Sequence, residues 1–215
     1  MRRAFQTTTI LAGLTGLLIG CTTTPSEFYM LDPLEPVDPR ALERIEGPSL
    51  GVGPIRFPDY LDRPQIVTRP APNRVELNEF QRWAGSLQGN FQRVMARNLA
   101  ALLRSENVAE YPWDEPFDPD YRLLVDVYRF DGDLGGEVRL EARWSLTGRD
   151  RLRVLRGGQA SIREPVRGKD YHSLIRAESM ALAALSQQVA AAFTELGRNQ
   201  APAGTEASSP PRRMR

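Results

Sequence analysis

Apolar and polar residues alternate most cleanly between residues 121 and 146 of this chain. In "YRLLVDVYRF" (121–130), Tyr121, Leu123, Val125 and Val127 share one side of an extended segment. In the next run Val138, Leu140, Ala142, Trp144 and Leu146 alternate with Glu137, Arg139, Glu141, Arg143 and Ser145, predicting a strand with one dry and one wet face. "GDLGG" (132–136) joins the two as a loop, with no helix after it whose N-terminus could hold phosphate. A turn at 148–150 leads into "RLRVLRGGQASIREPV", a third antiparallel strand in which Gly157 and Gly158 predict a bulge or bend. Upstream, "SLGVGPIRF", "PQIVTR" and "RVELN" are short β-rich runs bounded by proline and glycine, and they predict a small antiparallel meander.

Two stretches switch to a helical period. From Phe80 to Arg104, Phe80, Trp83, Ala84, Leu87, Phe91, Val94, Met95, Leu99 and Leu102 recur at steps of three and four. The second helix has Asp170 as its N-cap, carries Leu174, Ala181, Leu182, Leu185, Val189, Phe193 and Leu196 on its inner side, and stops at Gly197. Strands, helix, strands, helix predicts a single α+β domain over residues 49–197, a mostly antiparallel sheet with two long helices packed on it.

The ends follow other rules. Arg2 and Arg3 precede the apolar segment "ILAGLTGLLIG", too short for a bilayer-spanning helix of about 20 residues but suited to a signal peptide over residues 1–20. The lone cysteine, Cys21, follows directly in "LIGC", which resembles the lipobox of bacterial lipoproteins, whose cysteine is acylated and becomes the mature N-terminus. Residues 21–48, punctuated by Pro25, Pro33, Pro36, Pro39 and Pro48, read as an extended tether. Within it "FYML" can add a short edge strand or merely touch the surface. Residues 198–215, rich in proline, serine and alanine, read as a disordered tail.

Charge and chemistry narrow the function. Basic residues number 28 and acidic 27, and loss of Arg2 and Arg3 leaves the mature chain close to neutral, so nothing points to nucleic acid. One cysteine and one histidine, His172, make neither a disulfide nor a metal-ligand set. No catalytic residue, metal ligand or cofactor motif stands out, and Ser173 beside His172 belongs to a helix cap.

Two surfaces are candidates for contact with a partner. On a helical wheel Arg82, Arg93, Arg97 and Arg104 fall within roughly 60° of one another, either a solvated face or a contact for an acidic partner or lipid headgroups. In residues 51–69, Pro58, Tyr60, Leu61 and Pro64 cluster in a connection that can be an interaction edge or can fold back over the sheet.

The lipobox, "FYML", "VGPIRFPDYLDRPQIVTR", "RWAGSLQGNFQRVMARNLAALL", "YRLLVDVYRF" and "ARWSL" together resemble the ABC-type transport auxiliary lipoprotein family of the PqiC type, from Cys21 to about Leu196. The resemblance implies a non-enzymatic accessory lipoprotein on the periplasmic face of the outer membrane. Its partner would be the periplasm-spanning MCE-domain protein of an ABC system that moves phospholipid or other hydrophobic molecules between membranes. A homo-oligomeric ring around the conduit would follow from that role. Two other readings are a lipid carrier, which needs an apolar cavity between helices and sheet, and a lipid hydrolase dependent on His172.

Overall fold

The structure, a computed structural model, describes residues 24–34, 47–113 and 117–200. Cys21, the signal peptide, most of the tether and residues 201–215 lie outside the described residues. The described strands are β1 (Glu27–Tyr29), β2 (Leu50–Arg56), β3 (Gln65–Ala71), β4 (Arg74–Trp83), β5 (Val108–Glu110), β6 (Tyr121–Gly132), β7 (Glu137–Gly148) and β8 (Val154–Pro165). They form one open mixed sheet with helices α1 (Leu87–Leu103) and α2 (Tyr171–Gln200) packed on it, an α+β fold. The ladders β6–β7, β7–β8 and β3–β4 are antiparallel, whereas β1–β4, β2–β5, β2–β6 and β3–β6 are parallel.

The alternation in β7 places Val138, Leu140, Ala142, Trp144 and Leu146 in the core, all less than a tenth exposed. In β6 the same alternation holds through Val127 and then shifts at a bulge before Arg129, so that Phe130, an even-numbered residue, turns inward. There its ring meets Phe91 of α1 edge-on at 5.2 Å, and Phe57 stands edge-on to Phe91 at 5.1 Å. Leu99, Leu123, Leu174 and Leu182 fill the layer around these rings.

Three expectations change. The antiparallel meander over residues 49–78 is absent: only β3 and β4 form a hairpin. β2 and β3 both run parallel to β6, the first opposite Tyr121–Asp126 and the second opposite Gly132. With β7 on the other flank of β6, β2 and β3 lie in series along one edge, so the proline-rich break between them interrupts the chain without reversing it.

Second, residues 80–83 belong to β4, and α1 begins at Leu87 behind Ser86, whose hydroxyl accepts from the Gly89 amide at 3.2 Å. Phe80 and Trp83 match the helical period, yet an extended segment places Trp83 in the core and leaves Phe80 40% exposed. Third, Gly157 and Gly158 are paired regularly with Ser145 and Trp144, and the bulge in β8 falls between Val154 and Arg156. A Cβ at Gly158 would stand 2.9 Å from the Trp144 indole, so this glycine makes room for the ring. The last helix is capped as predicted, Asp170 accepting from the Ser173 amide at 2.7 Å, and continues past Gly197 to Gln200.

Candidate functional site

The segment just after the lipobox is part of the fold. Glu27–Tyr29 adds to the sheet edge in parallel with Gln81–Trp83. From Leu31 to Leu34 the chain then crosses polar side chains of both helices. The Leu31 amide donates to Asn90 Oδ1 at 2.7 Å, the Asp32 amide to Ser179 Oγ at 3.0 Å, and the Leu34 amide to Asn98 Oδ1 at 2.8 Å. Asn98 also donates to Ser186 Oγ at 3.3 Å, tying α1 to α2 beneath the strap.

These four polar residues are buried on helix faces that are mostly apolar. Such groups cost stability unless bonded; the Ser179 and Ser186 hydroxyls each donate to a carbonyl one turn back at 2.8 Å, and the extended peptide supplies amide donors to Asn90, Ser179 and Asn98. Leu31, 2% exposed, closes the same groove. Asn90, Asn98, Ser179 and Ser186 belong to no catalytic or ligand motif of the sequence. The signal was present: polar residues eight and seven positions apart inside two buried helical stripes.

The Pro58–Pro64 connection folds back on the sheet. Leu61 is 3% exposed, Pro58 and Tyr60 are half-buried, and a short 3₁₀ turn spans Asp59–Leu61. The Tyr60 hydroxyl donates to Asp131 Oδ2 at 2.7 Å, and the Arg69 guanidinium lies 5.3 Å over its ring. Burial and the hydrogen bond to Asp131 push the Tyr60 phenol up to about 12. Fully buried Asp131 also accepts from Arg69 Nε at 3.0 Å and Arg129 Nε at 2.8 Å. Leu61 is therefore unavailable as a surface contact, and Tyr60 is committed to a buried ionic cluster.

The four arginines do not form one helical stripe. Only Arg93 and Arg97 lie on the exposed side of α1; Arg82 is half-buried in β4, and Arg104 follows the helix as its left-handed cap, with φ of 50°. The wheel assumed a helix from residue 80 to 104, and the strand at one end and the cap at the other remove two of its members.

His172 is exposed at the start of α2, beside a 230 Å³ surface cavity lined by Glu164, Arg167, Ser173, Arg176 and Met180. Ser173 gives both its amide and its hydroxyl to Asp170, whose carboxyl is thereby held below the usual carboxylate range, so the serine serves the helix cap. A second cavity, about 190 Å³, lies between the end of β1 and the start of α1, lined by Tyr29, Met30, Trp83, Ser86, Asn90 and Arg93. Among the described residues, no cluster of three or more His, Cys, Asp or Glu could hold a metal, and no helix is long and apolar enough to cross a membrane.

Two solved proteins share this fold. A crystal structure of a Xanthomonas campestris protein superposes with a TM-score of 0.66 at 20% identity, covering 81% of this chain and 98% of the other. A crystal structure of an uncharacterized protein gives 0.65 at 19% identity, covering 79% and 99%. No curated protein matches the sequence. The family model described as the ABC-type transport auxiliary lipoprotein component matches residues 29–190, from the strap through the two helices to the last turns of α2. The chain belongs to the ABC-type transport auxiliary lipoprotein family.

Proposed function

We propose that this protein is the non-enzymatic accessory lipoprotein of an MCE-type ABC transport system, anchored by acylated Cys21 to the periplasmic face of the outer membrane. There it docks the periplasm-spanning MCE-domain protein, and the system moves phospholipid or another hydrophobic molecule between the two membranes. The observation that carries this reading is the strap: the residues next to the lipobox are hydrogen-bonded into the sheet edge and the helix groove of a domain whose family is an auxiliary transport component. An adaptor needs its docking domain held at its anchor, and this arrangement fixes the chain to the domain from Glu27 onward, six positions after Cys21.

The carrier reading finds less support, because Phe91, Met95, Leu99, Phe130, Leu140 and Leu182 fill the space between helices and sheet with side chains. Assembly as a ring around the conduit belongs to the same proposal. Affinity purification of the acylated protein from native membranes after mild crosslinking tests it. An MCE-domain protein recovered with the wild type, and depleted with Cys21→Ser, is the expected result. Recovery of phospholipid without any MCE protein would overturn docking in favour of a carrier, and a monomeric mass in detergent would remove the ring.

A further inference from the structure

The short strand β1 has one side turned out of the fold. Tyr29 and Leu31 point inward, so strand alternation sends Phe28 and Met30 outward, where they are 63% and 52% exposed. In the parallel register Phe28 lies opposite Arg82, and Phe80, 40% exposed, precedes Arg82 by two residues in β4. Arg93 lines the small cavity beside Met30. Neither Arg82 nor Arg93 is in an ion pair among the described residues. The nearby carboxylates, Glu27 and Glu79, occupy the alternate strand positions and accept from the Tyr29 hydroxyl at 2.6 Å and the Gln65 amide at 3.0 Å.

Aromatic and thioether side chains held outward beside unpaired guanidiniums suit the boundary between lipid headgroups and acyl chains, where apolar groups bury and cations meet phosphate. Chain length selects this occupant. Even fully extended, the backbone from Cys21 to Phe28 spans at most about 25 Å. The strap leaves β1 no freedom to swing away, so an acyl group on Cys21 keeps this patch at the bilayer.

We propose that the outer face of the β1–β4 edge, with Phe28, Met30 and Phe80 as apolar contacts and Arg82 and Arg93 as cationic ones, lies against the phospholipid surface that holds the acyl chains. The patch gives the domain a defined orientation on the membrane. The inference rests on the acylation of Cys21 in the function proposed above.

The test uses the full acylated chain. Its natural cysteine is consumed by the lipid, so Phe28→Cys and Phe80→Cys each introduce a sole free thiol for an environment-sensitive fluorophore. Leu152→Cys, 91% exposed at the β7–β8 turn near the opposite edge of the sheet, serves as the water-facing reference. In vesicles of phosphatidylethanolamine and phosphatidylglycerol, labels at 28 and 80 are expected to lose emission to nitroxide-bearing lipid and to resist aqueous iodide, with the reverse at 152. Iodide quenching at 28 and 80 equal to that at 152, in acylated and vesicle-bound protein, overturns the orientation alone. Shielding from iodide without quenching by nitroxide lipid also overturns it and indicates a second copy over the patch. A chain without the added acyl mass overturns the anchor reading itself.

Discussion

Glu178 sits on the inner side of α2 at 1% exposure, and its Oε2 has no hydrogen-bond partner among the described residues. Burial, and then the nearby Asp131 charge, raise its carboxyl well above the ordinary value of 4.5. Between that value and the raised one, the folded protein holds a proton that the unfolded chain has released. Stability therefore falls as pH rises through this window, and the cost is fully present above the folded value. Glu178→Met, apolar and of similar length, is expected to stabilise by about 1–3 kcal/mol at about pH 8. Denaturant melts should show the gain shrinking towards pH 4, where the acid is protonated in both states. Composition could not have exposed this residue, because Glu178 becomes costly only when α2 is laid on the sheet.

At the scale of elements, what the chain revealed depended on how local the cause was. β6 and β7 pair along nearly their whole length, and the alternation in both is readable because each residue's face is determined by its immediate neighbours. The start of α1 was misread for the same reason: Phe80, Trp83 and Ala84 satisfy the helical period, while the pairing of β4 with β1 and β3 that holds them extended is made with distant segments. Ser86, the cap that ends the ambiguity, is a local signal that the longer periodicity obscured. Gly158 shows a cross-strand cause, since its lack of a side chain serves Trp144 on β7. Gly158→Ala should cost about 1–3 kcal/mol through overpacking against the indole. Thermal melts alongside Gly197→Ala, whose added methyl meets nothing within 4 Å, would separate this clash from any general effect of replacing glycine.

Across the whole molecule residues 31–34 join the β1 edge strand to the two helices. Asn98→Ala removes the acceptor for the Leu34 amide and the link to Ser186, and is expected to cost about 1–3 kcal/mol. Its distinctive consequence is faster hydrogen exchange at Leu34 and its neighbours, with exchange in β6 and β7 unchanged; equal acceleration everywhere would mean that the strap unfolds only with the core. The sequence by itself determined the near-neutral charge, the family resemblance and the class of fold, because each rests on composition or on the order of local periods along the chain. Only the tertiary structure decided that Glu27–Tyr29 pairs as an edge strand, that β2 and β3 run in series along β6, and that the Tyr60 loop closes on Asp131. It also dispersed the arginine stripe between a strand, a helix face and a cap. These outcomes depend on contacts between residues far apart in the chain, whose strength is set by which groups are buried together, and no local period encodes that pairing.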